Sequence, residues 1–442
     1  MSLKHTILPT LLALLALAAP AQASSGQFTI FEAPRELSSS DPALRAATLD
    51  EIQALGAKWI RLVVYWKDVA PAPDEKAPPA GFDPADPDSY DWSKYETAIR
   101  DAHGRGMKVL VTLSGPVPRW ATGKKKGHTY KPSPVLFGQF AAAAAHRYAD
   151  AVAQWSIWNE PNHPQFLTPQ FVKRRPYSPT LYRALFKAGA KGLRNGGETG
   201  RVLGGETAPR GTPRVVAPVT FARGFLRGGK LKTLGGYAHH PYTTKAGPKY
   251  RPANRDDVTI GVLSRLSKAL DSRGYRRLGL YLTEFGIQSK PDPYVGVSES
   301  RQAEFRSIAE RIAYRNPRVK AFSQYMMRDD LPREGSPSAR YSGFESGLRH
   351  SSGDPKLAYN AFRLPLVADR GDRRVTLWGI ARPAAGKTRV RVEYRSKKGW
   401  RKLEVDATNR RGVWSTTTRY VKGRSYRVKW GGFTAPRTRV YK

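Results

Sequence analysis

The chain has 442 residues, 40% of them hydrophobic, a net charge of +39 and no cysteine. That length exceeds one ordinary domain unless the domain is an α/β barrel, and the apolar share suffices for a large core. The lack of cysteine excludes disulfides and thiolate metal sites, so packing must supply the stability. No metal-ligand spacing appears among the eight histidines, and we expect neither a metal nor another cofactor.

The N-terminus has the pattern of a secretory signal peptide over residues 1–23. Lys4 and His5 precede an apolar run over 7–19, and Ala21-Gln22-Ala23 resembles a cleavage site before Ser24. The run is too short to span a bilayer comfortably, and no later segment is long enough. The sequence therefore predicts an exported, extracellular protein that begins near Ser24 and has no membrane span.

Eight predicted strands then alternate with predicted helices. The strands lie at 27–31, 59–65, 107–113, 155–158, 201–205, 235–240, 278–284 and 319–326. The helices start at Asp41-Pro42, Trp92, Ser133-Pro134, Ser178-Pro179, Val215, Val258 and Ser298, with a closing helix at 357–362. A Pro- and Asp-rich loop over 68–90 is long for a plain connection, so we expect it, with the loop carrying Lys124-Lys125-Lys126, to wall a cleft.

The predicted strands read as continuous apolar runs, which is typical of parallel strands covered on both faces. Eight such units favour a (β/α)8 TIM barrel that spans residues 24–365. A doubly wound open sheet is the alternative, but no Gly-rich phosphate-binding pattern follows the first strand.

The C-terminal tail differs from the preceding segments in its sequence pattern. Short β-rich segments recur at 373–380, 388–394, 400–405, 412–417 and 425–430, which predicts a small all-β sandwich over 370–442. This tail holds 22 Lys and Arg against four Asp and Glu. It either binds an acidic polysaccharide or cell wall, or is a plain appendage with solvated charges. Its four tryptophans either stack on sugars or belong to the core: Trp378, Trp400, Trp414 and Trp430. No nucleic-acid motif accompanies the charge, so we expect no nucleic-acid partner, and we expect a monomer.

In a barrel of this kind the active site lies at the carboxyl ends of the strands. The polar residues at those ends are Glu32, Arg61, Ser114, Asn159, Glu160, Glu206, His239, His240, Tyr242, Glu284, Gln324 and Tyr325. Glu160 follows the fourth strand and Glu284 the seventh, so we expect the two carboxylates to face each other across the mouth.

Glu160 is the centre of the stretch 155–162. Burial beside Trp155 and Trp158 predicts a raised pKa for this carboxyl group, and Pro161 predicts an extended backbone at Glu160. Taken alone, the stretch fits a solvated strand end equally well.

Trp158-Asn159-Glu160-Pro161 and Thr283-Glu284-Phe285-Gly286 together resemble the two signatures of clan A retaining glycoside hydrolases, particularly families 5 and 39. Secreted cellulases and β-xylosidases of actinobacterial type belong to this group. Further matches are Arg61, Pro118-Arg119-Trp120, His240-Pro241-Tyr242, and the closing segments 346–349 and 355–359. The resemblance covers residues 28–364. Many relatives place Trp on the eighth strand, where this chain has Tyr325 or Met326.

The resemblance implies a role for each matched residue. Glu160 would be the general acid and then the base, and Glu284 the nucleophile of a double displacement on a β-glycosidic bond. Arg61 and Tyr242 would hold the nucleophile ionised. Asn159 would bind the sugar 2-hydroxyl, and His240 would contact the acid or the substrate. Tyr325 would lie at the sugar subsite nearest the cleaved bond. Trp120, with Tyr65 or Trp66, would stack on sugar rings.

Alternatives stay open at several positions. Arg61 also fits a barrel-mouth ion pair, and His239 fits a structural role. Glu32 and Glu206 have no role that the resemblance transfers. A carbohydrate- or wall-binding protein on a decayed barrel is the alternative to a secreted glycosidase, and a separation of about 5–5.5 Å between the two carboxyl groups would favour retention. Xylan, mannan, β-glucan and galactan, and exo or endo action, all remain open, with uronate-bearing substrates favoured by the basic rim.

Overall fold

The computed structural model describes residues 26–384 and 386–441. The predicted signal peptide and its cleavage position lie outside these residues. Within them, no helix combines the length and apolar character needed to cross a membrane.

Eight parallel strands close into a barrel in sequential order, with the first strand hydrogen-bonded to the eighth. The strands are β1 (Phe28–Glu32), β2 (Trp59–Tyr65), β3 (Lys108–Ser114), β4 (Val152–Ile157), β5 (Val202–Thr207), β6 (Leu234–His239), β7 (Gly279–Leu282) and β8 (Val319–Tyr325). The prediction of a TIM barrel is confirmed, and the open-sheet alternative is wrong because β1 and β8 pair directly.

Eight helices accompany the strands. They are α1 (Pro42–Ala54), α2 (Ser93–Gly104), α3 (Pro134–Tyr148), α4 (Ser178–Asn195), α5 (Pro218–Phe225), α6 (Leu263–Asp271), α7 (Glu299–Arg315) and α8 (Leu357–Arg363). Asp41, Ser133 and Ser298 each cap a helix by accepting a backbone N–H bond through the side chain, as their positions predicted. The helix predicted to start at Val258 is divided, since a 3₁₀ turn at Ile260–Val262 precedes α6.

The barrel interior has an apolar layer beneath a polar layer. Ile30, Leu110, Leu203, Ala238 and Ala321, all from strands, form a separate buried cluster. Side chains two residues apart on a strand share a face, so Glu32 lies above Ile30 and Thr112 above Leu110. The polar layer therefore sits at the carboxyl ends of the strands, where the cavity described below opens.

The tail forms two antiparallel sheets that share a core. One contains β9 (Leu366–Arg370), β10 (Arg374–Ile380) and β13 (Val413–Arg419), and the other β11 (Arg389–Ser396), β12 (Gly399–Ala407) and β14 (Ser425–Trp430) with two short strands, Phe433–Thr434 and Thr438–Arg439. The predicted sandwich is confirmed. The sequence reading missed β9, which pairs with β10 along its whole length.

The first sheet also packs on the barrel. Val367, Trp378 and Ile380 form a buried cluster with Ile308 of α7, while Leu366 and Leu377 belong to the core shared with the second sheet. Trp378 and Trp414 are buried in these contacts, which assigns both to the core. Trp400 and Trp430 are half-buried.

Candidate active site

A cavity of about 1180 Å³ opens at the carboxyl ends of the barrel strands. Polar residues from five strand ends line it: Glu32, Asn159, Glu160, Tyr242, Glu284 and Tyr325. Its walls come from segments after β1, β4, β5, β6 and β8 and from the first turn of α2. Among the described residues that line it, none comes from the loops 68–90 or 124–126, which corrects the expectation that those loops wall the cleft.

The side chains of Glu160 and Glu284 both lie close to His240. The Nδ1 atom of His240 lies 3.0 Å from Oε1 of Glu160 and 3.6 Å from Oε2 of Glu284. These two carboxylate oxygens are therefore at most about 6.6 Å apart, the sum of the two distances. β4 and β7 are separated by β5 and β6 in the barrel, so the two carboxylates meet over the mouth although their strands are not opposite.

Glu284 is held from two sides. The hydroxyl of Tyr242 donates to Oε1 over 2.7 Å, and Arg61 Nη1 donates to Oε2 over 3.2 Å. Its side chain is 11% exposed and that of Glu160 17%. Both carboxylates thus reach the cavity from a largely buried setting.

Arg61 is completely buried and distributes five hydrogen bonds among five side chains. The acceptors are Glu32, Thr112, Asn159, Glu206 and Glu284. A planar guanidinium with donors in fixed directions suits this arrangement. Arg61 does not line the cavity, so its contacts position the residues that do.

Glu206 is a completely buried carboxylate surrounded by donors. Ser156 and Thr283 donate through their hydroxyls over 2.6 and 2.5 Å, and His240 Nε2 lies 2.9 Å away. Burial alone would raise the pKa of Glu206, but the positive charge of Arg61 and the hydrogen bond from His240 outweigh it and lower the pKa to about 2.

His240 lies between carboxylates on both ring nitrogens. Burial opposes its charged form, yet the charges of Glu284, Glu160 and Glu206 raise its pKa to about 10. The imidazole is therefore doubly protonated at neutral pH, with one N–H directed at Glu160 and the other at Glu206. His240 is fully buried and does not line the cavity, so of its two predicted roles only the contact with the acid fits.

The cluster contains fewer cations than carboxyl groups. Arg61 and His240 carry positive charge, whereas Glu32, Glu160, Glu206 and Glu284 are carboxyl groups. Burial is the main cause that raises the pKa of Glu32 to about 7, against the lowering effect of Arg61. A proton on Glu32 reduces the excess negative charge of this buried group.

The backbone at Glu160 differs from the prediction. Its φ is +40°, in the left-handed region, and not extended as Pro161 predicted. The Glu160 amide donates to the Glu206 carbonyl over 2.9 Å, and the His163 amide closes a turn onto the Glu160 carbonyl. Glu206 also has positive φ, +46°. Such conformations cost free energy and persist where the surroundings fix them, often at functional sites.

The predicted aromatic neighbours of Glu160 point elsewhere. Trp158 packs against Phe137, and its indole donates to the Phe166 carbonyl. The hydrogen-bond partner of the Glu160 side chain is His240. The Trp158 indole thus contacts Phe137 and Phe166, while the Glu160 carboxylate contacts His240.

Trp120 lies outside the cavity, which corrects its predicted stacking on substrate. It is buried, donates to the Pro71 carbonyl, and packs on Trp66 and Phe82. Trp66 is equally buried. Among the described residues, the phenylalanine and tyrosine rings that line the cavity are those of Tyr65, Tyr95, Phe166, Tyr242, Tyr250, Tyr325 and Phe344.

The contacts of His239 fit the structural role that was proposed for it. Nδ1 contacts the Thr207 hydroxyl, and Nε2 contacts the Val258 carbonyl at 2.8 Å. Burial lowers its pKa to about 4, so the ring is neutral at ordinary pH and joins β6 to the segment before α6.

Sequence reasoning missed the role of Glu206 and the hydroxyls around it. Thr112, Ser156 and Thr283 are small polar residues inside or directly after otherwise apolar strands. Their occurrence near the carboxyl ends of three strands was a signal for a buried polar group between them. Gln324 turns away from the cavity and bonds Arg306 and the Ser346 carbonyl.

Neither a protein-family model nor a curated protein matches the sequence. Solved structures do. A monomeric β-xylosidase from Caulobacter crescentus CB15 is 18% identical with a TM-score of 0.55, over 90% of this chain and 95% of that chain. The GH39 enzyme from Xanthomonas axonopodis pv. citri is 17% identical with a TM-score of 0.54, over 94% and 96%.

A GH39 β-xylosidase from Caulobacter crescentus is similar at 18% identity and a TM-score of 0.53, over 86% of this chain and 84% of that chain. At these identities the similarity establishes a shared fold of barrel and β domain.

Proposed function

We propose that this protein is a secreted retaining glycoside hydrolase that cleaves β-glycosidic bonds in an oligo- or polysaccharide. The observation that carries the proposal is the proximity of Glu160 and Glu284. Oε1 of Glu160 and Oε2 of Glu284 both lie beside Nδ1 of His240, and are therefore within about 6.6 Å of each other. Retaining enzymes place their carboxyl groups about 5–5.5 Å apart and inverting enzymes about 6.5–9.5 Å apart. The upper limit of about 6.6 Å excludes nearly all of the inverting range and allows the retaining distance, so it favours retention.

In the proposed mechanism Glu284 attacks the anomeric carbon as the bond to the leaving oxygen breaks and Glu160 gives that oxygen a proton. The product is a glycosyl ester on Glu284. Glu160 then removes a proton from water, which attacks the anomeric carbon and releases Glu284. The hydrogen bonds from Tyr242 and Arg61 fix the orientation of the nucleophilic carboxylate.

Asn159 fits a contact with the sugar. Arg61 Nη2 donates to its Oδ1 over 2.9 Å, which orients the amide. Its Nδ2 has no hydrogen-bond partner among the described residues and is free to donate to a sugar hydroxyl. Tyr325 and Tyr65 line the cavity and supply ring faces for a sugar.

The test is hydrolysis of aryl β-glycosides, with the β-xyloside first because two similar structures are β-xylosidases. Replacing Glu284 with Ala should abolish turnover, and added azide should then give a glycosyl azide of inverted configuration, because azide takes the place of the missing nucleophile. Unchanged turnover in Glu284→Ala would remove Glu284 from this role.

The matched variant Glu160→Ala should lose activity mainly on substrates with poor leaving groups, because an activated aryl group departs without a proton. A protein that binds oligosaccharides but turns over no glycoside in the panel would instead be a carbohydrate-binding protein. Export is tested separately by measuring the chain in culture medium and sequencing its N-terminus.

A further inference from the structure

A second large cavity, of about 880 Å³, lies at the opposite end of the barrel from the candidate active site. Its floor is formed by the amino-terminal ends of β1 and β2. Its far wall is formed by the tail, around Arg382, Lys387 and the turn between β12 and β13. We call this cavity the basal groove.

The basal groove carries unneutralised positive charge. Lys58, Lys387, Arg410 and Arg411 line it and are exposed. Within the described part of the chain, none of these four side chains has a carboxylate within ion-pair distance. Lys58 comes from the barrel and the other three from the tail, so the charges stand on both sides of the groove.

The one carboxylate among the described lining residues does not offset this charge. Glu310 is buried and forms ion pairs with both Arg306 and Arg382. A groove with four free cations and a neutralised acid attracts anions, and its concave shape focuses the field.

The floor of the groove is aromatic. Phe28 and Trp59 stack with ring centroids 4.4 Å apart and an interplanar angle of 22°. Both rings are half-buried, so part of their surface remains available.

We propose that the basal groove binds an acidic polysaccharide, such as a uronate polymer. Sugar rings stack on aromatic faces through their C–H surfaces, and carboxylates on the same rings pair with lysine and arginine. The groove supplies both partners side by side. The preference for a polysaccharide over another polyanion rests on the proposed function, whereas the anion-binding character of the groove rests on its lining alone.

Such a site would keep the enzyme on its polymer. A chain held in the basal groove raises the local concentration of neighbouring segments at the barrel mouth. The two sites lie at opposite ends of the barrel, so one polymer strand must pass around the domain or a neighbouring strand must be cleaved.

The test is binding of polygalacturonate at physiological ionic strength, measured by calorimetry on the whole chain carrying Glu284→Ala, which prevents hydrolysis. The groove variant is Lys58→Glu/Arg410→Glu/Arg411→Glu. The matched control is Arg401→Glu/Lys402→Glu/Arg419→Glu, three exposed positions of the tail outside the groove lining. The two variants have equal net charge.

The groove variant should weaken binding about tenfold or more and the control less than about twofold, because screened charges act over about 8 Å. Equal weakening in both variants would overturn the groove in favour of diffuse attraction. No binding by the parent chain would also overturn it, and tighter binding of single-stranded DNA than of polygalacturonate would replace the polysaccharide with a polynucleotide.

Neutral xylan should bind the parent and the groove variant equally. The groove variant that retains Glu284 should lose polygalacturonate binding but keep its turnover of aryl glycosides. This result would show that binding in the groove and hydrolysis at the barrel mouth occur at separate sites. Conversely, a chain that binds polygalacturonate in the groove but hydrolyses no glycoside would retain the groove and refute the glycosidase.

Discussion

The Nε2 atom of His240 lies 2.9 Å from Oε2 of Glu206, in a pair that is fully buried. The other ring nitrogen faces Glu160. Because both nitrogens face carboxylates, the imidazole keeps two protons, and Glu206 determines which way its Nδ1–H points. A carboxylate that does not line the cavity thereby controls the hydrogen bonding of the proposed acid.

The first prediction follows from this pair. In Glu206→Gln the amide no longer supplies a negative charge, so the pKa of His240 should fall below its present value of about 10. An NMR titration of the histidine ring protons measures this directly, with His240→Asn to assign the resonance. Turnover should fall about tenfold to a hundredfold and its alkaline limit should move to lower pH.

Glu345→Gln is the control, since Glu345 is also a buried carboxyl group but does not contact His240. A purely structural role for Glu206 would lower turnover equally at all pH values. An unchanged titration of His240 in Glu206→Gln would contradict the prediction.

The second prediction concerns Arg61→Lys. An ammonium group cannot direct hydrogen bonds to five separated acceptors, so Glu206 and Glu32 would lose donors in a buried setting. We expect the free energy of unfolding to fall by about 3–5 kcal/mol, as when one partner of a buried charge pair is removed. Denaturant unfolding measures it, with Arg105→Lys at a surface ion pair as the control. Equal stability of the two variants would contradict this view of Arg61.

The third prediction concerns the pH dependence of stability. The pKa of Glu32 is raised from 4.5 to about 7 in the folded state. The folded protein therefore binds this proton more tightly, and the stabilisation is fully present below pH 4.5 and is lost as the pH rises through about 7. Glu32→Gln keeps an acceptor for Arg61 but does not titrate.

Between pH 5 and 8 the parent should consequently lose about 1–3 kcal/mol of unfolding free energy that the variant does not lose. Urea unfolding at the two pH values measures the difference. Parallel pH profiles for both proteins would show that Glu32 is ionised throughout.

The barrel could be predicted because its strands are buried on both faces. The predicted limits of β2 match the structure, since Trp59–Tyr65 is a continuous apolar run around one arginine. β7 is shorter than predicted and ends at Leu282. Its continuation turns inward, where the Thr283 hydroxyl bonds Glu206 and the Phe285 carbonyl accepts from the Tyr325 amide. The position at which β7 ends depends on contacts with other strands, and the sequence of this one segment does not reveal those contacts.

The candidate site could be predicted in part for the same reason. Strand ends identify Glu160, Glu284 and Arg61 as neighbours, because parallel strands end on one side of a barrel. The left-handed backbone of Glu160 depends on a hydrogen bond to the Glu206 carbonyl from another strand. The local influence of Pro161 favours the opposite result, and the tertiary contact prevails. Trp120 was misplaced because its indole folds back onto Pro71 in the preceding loop.

The fourth prediction tests the support of Glu284. Tyr242→Phe removes the 2.7 Å hydrogen bond to Oε1 but keeps the ring, which packs near Phe285 and Tyr325. We expect the fold to persist and kcat/KM to fall about tenfold to a hundredfold, the loss of one charge-assisted hydrogen bond at about 1.5–3 kcal/mol. Steady-state kinetics on an aryl β-glycoside measures it. Tyr294→Phe, at an exposed ring, is the control, and a similar loss there would contradict the prediction.

The fifth prediction concerns the junction of barrel and tail. Glu310 of α7 lies between Arg306 of the same helix and Arg382 of the tail, and all three side chains are buried. Burial opposes the ionisation of Glu310, but the charges of Arg382 and Arg306 outweigh it and lower its pKa. The carboxylate therefore neutralises two guanidinium groups that would otherwise face each other.

Glu310→Ala should destabilise the protein by about 3–5 kcal/mol, because it leaves two buried cations unpaired. Adding Arg382→Met to Glu310→Ala should recover part of that loss, since one of the unpaired charges is then removed. Denaturant unfolding of the single and double variants measures both effects, and Arg315→Gln, at an exposed position of the same helix, should change stability by less than about 0.5 kcal/mol. A double variant less stable than Glu310→Ala would mean that Arg382 stabilises the junction through its bond to the Phe362 carbonyl and its packing on the Phe362 ring, and not through its charge.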